Sequence, residues 1–525
     1  MQVIRTVSLV VSLLAASAFV ADAQTPKRGG TLNFSVVAEP PNYDCHSSTT
    51  FALIHPVAPH YSTLLKFDGA NYPAVKGDLA KEWKASSDGL SYTFTLHQPV
   101  KFHDGSPLTS ADIKASFDRI ANPSTGVISA RRSFWTDLDR IETPDPATVV
   151  FKLKAPLAGM LELFANPYNC IYSAKKLAEN PKYPENEIMG SGAFQFVQHV
   201  KGSHWEGKRF ADYFAKDRPY LDGFKAYFVK NTSVVPGMLG GQFDTEFRGR
   251  NPKEAEQLMQ EGGDRFVKYE GTWVGTLMLI FNVKKKPFDD IRVRQALTMA
   301  IDRWGSSPSI SKISILKGVG GVLRPGFDMA LPESELVKLP GYGRDIEAAR
   351  TEARRLLKDA GVENLQLKLL NRNVAEPYTP GGILTVDQWR RVGVTAQHEQ
   401  LETKLYFDQI AAGNFDVAVE FINDANDDPT QQFAKYLTKK ASSIGYSGHE
   451  DTKLDEMYEK QRRTLDPVER KKIVNEMERY ALTTAYNVPL IWYHRIIVNH
   501  KKIKGWHFTP SHYVQQDLAD VWLDQ

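Results

Sequence analysis

GLSYTFTLHQPVKFHDGSPLTSADIKASFDRI, residues 89–120, contains the change of periodicity that decides how this chain is read. Ser91 to Leu96 alternates in the two-residue repeat of a half-buried strand, and Val100 to Phe102 reads as a second short strand. His103-Asp104-Gly105 follows; Asp-Gly favours a turn because glycine accepts positive φ at no steric cost. Thr109 and Asp112 then fit a capping box, in which each side chain satisfies a free backbone N–H at the helix start. Ile113, Phe117 and Ile120 recur at helical spacing and make one apolar face. A catalytic His-Asp pair would need a third orienting group and a nucleophile or metal. No such group is visible near His103 and Asp104, so the pair reads as a turn between scaffold elements.

Working outward, Thr31 to Val37 is β-branched and alternating, which predicts a strand. Helices are marked at three later places. Val293, Ala296, Leu297, Ala300 and Ile301 share a face; so do Ile346, Ala349, Ala353, Leu356 and Ala360, with Gly361 as a stop. Asp466-Pro467-Val468-Glu469 supplies a cap, a first-turn proline and a first-turn acid ahead of Ile473, Met477 and Tyr480. Strands and helices interleave through most of the chain, which predicts an α/β protein.

At 525 residues the chain has room for about two to four domains. Its net charge of +3 is too balanced to imply nucleic acid or an anionic membrane as a partner. Arg5, the apolar run Val7 to Val20 and Ala21-Asp22-Ala23 predict a secretory signal over 1–23, cleaved after Ala23. The run is about 14 residues, short of the roughly 20 needed to span a bilayer, and no cysteine follows it to carry a lipid. A soluble, exported mature protein is expected. In that compartment Cys45 and Cys170, the only cysteines, are a possible disulfide, although sequence does not show whether they meet.

The search for catalytic motifs finds near misses. GYSGH (445–449) lacks the last glycine of a nucleophile elbow. His398-Glu399 and His449-Glu450 have Glu402 and Lys453 where a zinc motif requires its second histidine. Gly318 to Gly326 has no Gly-Lys-Ser/Thr ending for phosphate. Basic residues are scattered rather than striped. No catalytic residue, metal site or cofactor is predicted.

The ordered motifs resemble the extracytoplasmic solute-binding proteins of ABC importers, in the peptide/nickel class known as family 5. Arg28 to Asp44 is similar to the family's first strand and Pro-x-x-x-Asp loop, and residues 89–120 are the most specific match. SGAFQF with ADYFAKDRPYLDGF, then FNVKKKPFDDIRVRQALTMAIDR, GNFDVAVE, DDP and AYNVPLIWY follow in the family's order. The resemblance implies a two-lobed periplasmic-binding-protein fold of the large type II class, with the ligand cleft between the lobes. It divides the chain into lobe one (24–65, 190–275 and 490–525), an inserted subdomain (66–189) and lobe two (276–489). It further implies a monomeric periplasmic receptor without catalysis that delivers a short peptide or peptide-like solute to membrane permease subunits driven by their ATPases. The alternatives are a non-peptide solute (an opine, an oligosaccharide or an aromatic acid), a secreted hydrolase, and a chaperone-like peptide binder.

In peptide-binding members an acidic residue four before a proline commonly holds the peptide amine. Here Pro429 puts Ala425 at that place, with Asp424 one residue earlier, and Ile422 replaces a common tryptophan. Asp424, Asn426 and Asp427 are equally suited to an amine, to sugar hydroxyls or to shaping their own loop. By position in the resemblance, Tyr43 and Trp273 are candidates for ligand contact, with hinge packing as the alternative for Trp273; Arg248 and Arg250, in FRGRNP, are candidate counter-charges to a ligand carboxylate, with surface solvation as the alternative for each.

Overall fold

A computed structural model describes residues 25–525 except Ala375 and Asp424; the leader predicted over 1–23 lies outside the described residues. Thr31–Val36 forms the strand its β-branching predicts and pairs in parallel with Gly223–Phe228. The sheet continues antiparallel through His204–Arg209 to Phe194–Val200. A second sheet runs Ala80–Ala85, Ser91–Leu96, Thr148–Leu153, Leu138–Asp145, with every pair antiparallel. One apolar cluster, from Leu32 through Phe117 and Phe164 to Phe247 and Leu523, runs through both sheets, so the region of the second sheet shares the core of the first.

The third sheet has six strands in the order Leu316–Gly318, Asn487–His500, Phe266–Phe281, Val417–Asn423, Gln366–Arg372, Thr395–Leu401. Its central strand Phe266–Phe281 shows why it lies between two helical layers. Successive side chains of a strand point to opposite faces. Leu277, Leu279 and Phe281 pack with Leu297, Leu357 and Trp389, whereas Met278 and Ile280 pack with Tyr406, Val474 and Met477. A sheet covered on both faces needs an unbroken apolar run, which is what residues 277–281 supply.

Phe266–Phe281 and Asn487–His500 also link the two halves of the molecule. Phe266, Ile496 and Val498 belong to a lobe-one cluster with Val234 and Leu258, while the other ends of both strands lie in the lobe-two core. The register between them shifts twice between Thr272 and Met278. Extra residues in one strand of a pair bend it, so the strands change direction where they pass from one lobe to the other. The lobes also touch away from these strands. Arg462 and Arg463, in the helix Lys453–Arg463, both reach Asp137 at 2.8 Å, and the Tyr72 hydroxyl donates to Asp427 at 3.3 Å.

Residues 89–120 fold largely as predicted. Ser91–Leu96 is a strand, and Ser110–Ala121 is a helix whose Thr109 N–H donates to Asp112 at 2.7 Å. The second short strand does not form: within Val100–Phe102 only Lys101 bridges, to Pro107, because the following turn folds this stretch back on itself. His103 Nε2 bonds the Gly192 carbonyl at 3.0 Å, and burial holds the ring's pKa down at about 4. Asp104 accepts from the Ser106 N–H at 2.9 Å. Both side chains fasten a turn. Cys45 and Cys170 are joined in a disulfide that closes 125 residues of chain. By chain entropy a loop of that length is worth about 4–5 kcal/mol.

Candidate functional site

A cavity of about 490 Å³ lies between the lobes, within the range of small-solute sites. Phe51, Arg248 and His512 face it from lobe one, Arg372, Phe421 and Tyr493 from lobe two, and Trp273 stands at the crossing. A second cavity of about 450 Å³ lies around Lys66 in lobe one. There Lys66 is paired with Asp517 at 2.6 Å and Asp78 at 3.3 Å, and Arg218 with Asp520 at 2.7 Å, so its charged groups are engaged with one another.

Arg248 is held by its backbone. Glu246, buried, accepts from the N–H groups of Arg248 and Gly249, each at 3.0 Å. Arg495, buried in the crossing strand, donates to the carbonyls of Arg248 (3.1 Å), Thr509 (2.6 Å) and Phe247. Burial pushes the Arg495 guanidinium down to about 9, still charged at neutral pH. The Arg248 side chain makes no ion pair among the described residues and lies over the ring of Phe51 at 4.7 Å.

Arg372 ends the strand Gln366–Arg372. Its Nη1 donates to the Tyr378 hydroxyl at 2.8 Å, and its guanidinium lies 4.4 Å from that ring and 5.4 Å from Phe421. It too lacks a carboxylate partner among the described residues, and its Nε is buried without an acceptor. Lys435 differs, because Glu420 binds it at 2.5 Å while also accepting from Tyr406 at 2.8 Å.

Trp273 donates its indole N–H to His512 Nδ1 at 3.0 Å. Accepting at Nδ1 puts the proton of the neutral ring on Nε2. Burial holds His512 well below its usual pKa, so the ring is neutral, and Nε2 finds no partner among the described residues. Burial also raises the phenols Tyr378 and Tyr493, and both Arg248 and Arg372 act electrostatically on each of them. Arg248 and Arg372 line the same cavity from opposite lobes.

Of the residues expected from sequence, Trp273 and Arg248 line this cavity and Asp424 lies outside the described residues. Three do not line it. Tyr43 packs edge-on against Trp205 at 4.9 Å and bonds His199 Nδ1 at 2.9 Å. Arg250 is buried in a pair with Glu246 at 2.8 Å and reaches Glu254 at 3.3 Å. Asn426 is 1% exposed and accepts from the Asp428 N–H at 3.0 Å, shaping its own loop. Sequence reading missed Arg372, Phe421 and His512. For Arg372 a signal existed: in α/β sheets ligands gather at the carboxyl ends of strands, where this residue stands. The near-motif serine, Ser447, bonds His449 Nδ1 at 2.7 Å with both side chains buried. His55 and His60 likewise bond backbone carbonyls, of His512 at 3.0 Å and Phe194 at 2.7 Å.

Comparison with known proteins agrees with this geometry. The chain is 28% identical over 415 residues to the dipeptide-binding protein of Escherichia coli (strain K12), covering 74% of each chain. It is 31% identical over 229 residues to the glutathione-binding protein of Salmonella typhi, but that match spans only 44% of each. Among solved structures, the periplasmic binding protein from Agrobacterium tumefaciens R10 in complex with agropinic acid superimposes with a TM-score of 0.79 at 24% identity, covering 94% of this chain and 99% of that one. The Helicobacter pylori periplasmic binding protein in complex with the peptide STSA gives 0.79 at 23%, covering 95% and 99%. At those identities the two structures establish the fold, two lobes around a cleft. The family model for bacterial extracellular solute-binding proteins, family 5, matches residues 74–443, well over half of the sequence. The chain belongs to the family 5 bacterial extracellular solute-binding proteins, a family of binding proteins rather than enzymes.

Proposed function

We propose that this protein is the periplasmic receptor of an ABC importer, closing on a short peptide or peptide-like solute and presenting it to membrane permease subunits. The observation that carries the reading is the interlobe cavity, because a solute held by both lobes favours the closed arrangement by its differential affinity. Relatives named for dipeptide and glutathione binding support a peptide-sized ligand. Asp424 is assigned the ligand's amine: its neighbours Phe421 and Ile422 line the cavity, so the loop begins at the site. Among the described residues no helix is long and apolar enough to cross a membrane, which is compatible with a receptor that works free of the bilayer. The mature chain acts as a monomer in this reading.

The test is mass spectrometry of whatever small molecule accompanies the protein through purification and is released on denaturation. A peptide of a few residues is the expected result. Release of a sugar or a sugar acid would move the assignment to a non-peptide solute, and turnover of the solute by the purified protein would overturn the receptor reading.

A further inference from the structure

The lobe-one cavity around Lys66, of about 450 Å³, has the size of a small-molecule pocket. It adjoins the interlobe site, because Tyr513 lines both. The buried rings of Phe67, Tyr513 and Trp522 give it apolar surface.

The charged side chains on its wall pair with one another but do not balance. Lys66, Lys76 and Arg218 are three cations; Asp68, Asp78, Asp517 and Asp520 are four carboxylates. Lys66 serves two of them, Asp517 at 2.6 Å and Asp78 at 3.3 Å. Arg218 takes Asp520 at 2.7 Å, and Lys76 stands 3.6 Å from Asp520 and 3.8 Å from Asp68. Among the described lining residues one negative charge is left over. Asp78 is the most enclosed of the four, 7% exposed, and burial raises its pKa. A carboxylate in that setting gains from a further positive charge nearby.

A second observation points to the same chemistry. Gln516 lines the cavity at 2% exposed, and its amide nitrogen donates to the carbonyls of His512 at 3.1 Å and Val514 at 3.3 Å. Its Oε1 is buried and accepts from no group among the described residues. An unfilled buried acceptor costs free energy that a ligand's N–H recovers. The neighbouring wall is firmly held. The Gln515 side chain bonds the His507 N–H at 3.1 Å and the His507 carbonyl at 2.7 Å. Gln515 and Leu518 keep left-handed backbone, φ 64° and 56°, which non-glycine residues hold only where their surroundings enforce it.

We infer that this cavity is a second ligand site, separate from the interlobe cleft, which takes a small organic monocation with its ammonium head among the carboxylates and Gln516 Oε1 and its apolar body against the rings. An ammonium supplies both the missing positive charge and an N–H for the unfilled acceptor, and ring faces attract a cation as well. A carboxylate ligand would add to the excess negative charge, and a neutral solute would leave it uncompensated. The inference does not rest on the receptor reading, and either can fail alone.

The experiment is a ligand-observed NMR titration of the purified mature chain with probes of similar shape: 2-phenylethylammonium, 2-phenylethanol and phenylacetate. Each is measured on the wild type, Ala70→Trp and Asp517→Asn. Ala70 lines the cavity and is exposed, so tryptophan there occludes the cavity without entering a core. The wild type should bind the ammonium roughly tenfold or more tighter than the alcohol, with phenylacetate the weakest. Ala70→Trp should lose the ammonium by about tenfold or more. Asp517→Asn removes the excess charge, so ammonium and alcohol should then bind within about threefold of each other. Unfolding midpoints show whether the variants fold; if Asp517→Asn does not, Ala70→Trp and the wild-type comparison decide. Ammonium bound no tighter than alcohol by the wild type overturns the inference. So does undiminished ammonium binding by folded Ala70→Trp, which would place the amine in the interlobe cleft. The solute released on denaturation should be the same for Ala70→Trp as for the wild type, and its loss from the variant would overturn the separation of the two sites.

Discussion

Replacing Asp427 by asparagine tests the best-defined buried charge pair beside the cleft. Asp427 sits in the loop after Val417–Asn423 and accepts from Arg324 Nε at 2.7 Å and Nη2 at 2.8 Å, a two-pronged contact. The side chains are 10% and 2% exposed. Arg324 also donates to Thr272 on the crossing strand at 2.9 Å, and Tyr72 reaches Asp427 from lobe one. Burial alone would depress the Arg324 guanidinium, yet its pKa is raised, because the bonds and charge of Asp427 outweigh desolvation. Asparagine keeps the shape but leaves that cation buried and unopposed, which costs about 3–5 kcal/mol. For a lobe of some 200 residues each kcal/mol is worth about 2–4 °C, so the unfolding midpoint of lobe two should fall by roughly 10 °C. Differential scanning calorimetry at pH 7 reads this directly. Adding Arg324→Met to Asp427→Asn should restore much of the loss, since it removes the stranded charge. A single variant melting within about 2 °C of the wild type, or a double variant no better than the single, would refute the assignment of this pair as a buried, coupled unit.

Four further outcomes are expected. Asp424→Asn should weaken free peptides by about 30-fold or more and N-acetylated peptides much less; equal effects on both, measured by calorimetry, would remove Asp424 as the amine partner. Asp137→Asn removes the contact of Arg462 and Arg463 across the lobes, so small-angle scattering of the ligand-free variant should show a larger radius of gyration than the wild type, with ligand restoring it. Glu478 is fully buried, accepts from the Leu323 and Leu331 N–H groups at 3.0 and 2.9 Å, and is pushed up from 4.5 to about 7 by burial. Its contribution to stability is therefore complete below pH 4.5 and is lost, by roughly 3 kcal/mol, as pH rises through about 7; Glu478→Gln should flatten that slope in melting curves, and an unchanged slope would show that another group sets it. Export should leave a mature chain beginning at Gln24, and intact Met1 on periplasmic protein would contradict the leader.

Local chemistry was the legible part of this sequence. The capping box at Thr109 and Asp112, the proline-led helix after Asp466 and the β-branched strand at Thr31 are each written within a few consecutive residues, and each forms. The cavity is not written that way. Its wall draws on positions 51, 248, 273, 372, 421, 493 and 512, which meet only after the crossing strands have brought the lobes together. Arg248 and Arg250 show the limit well. They are two residues apart in FRGRNP and equally basic, yet one faces the cavity and the other is neutralised. Glu246, four residues before Arg250, claims its guanidinium with one oxygen and also accepts from the N–H groups of Arg248 and Gly249. The choice is completed by Arg495, which is remote in the chain and grips the carbonyls on either side of the Phe247–Arg248 peptide.

That arrangement gives the two halves of the site different stiffness. Arg248 is fixed through its backbone by buried ionic and hydrogen-bonded groups, so lobe one presents its cation already placed. Arg372 is held through one bond to a tyrosine and by ring faces, which tolerate small rotations of the guanidinium. The ties across the lobes at Asp137 are charge pairs whose side chains are 14% (Asp137), 11% (Arg462) and 31% (Arg463) open to solvent. A ligand need supply only a few kcal/mol of preference for the closed form to decide the equilibrium. A solute held by both lobes provides such a preference through its differential affinity, whereas a solute gripping one lobe alone provides none.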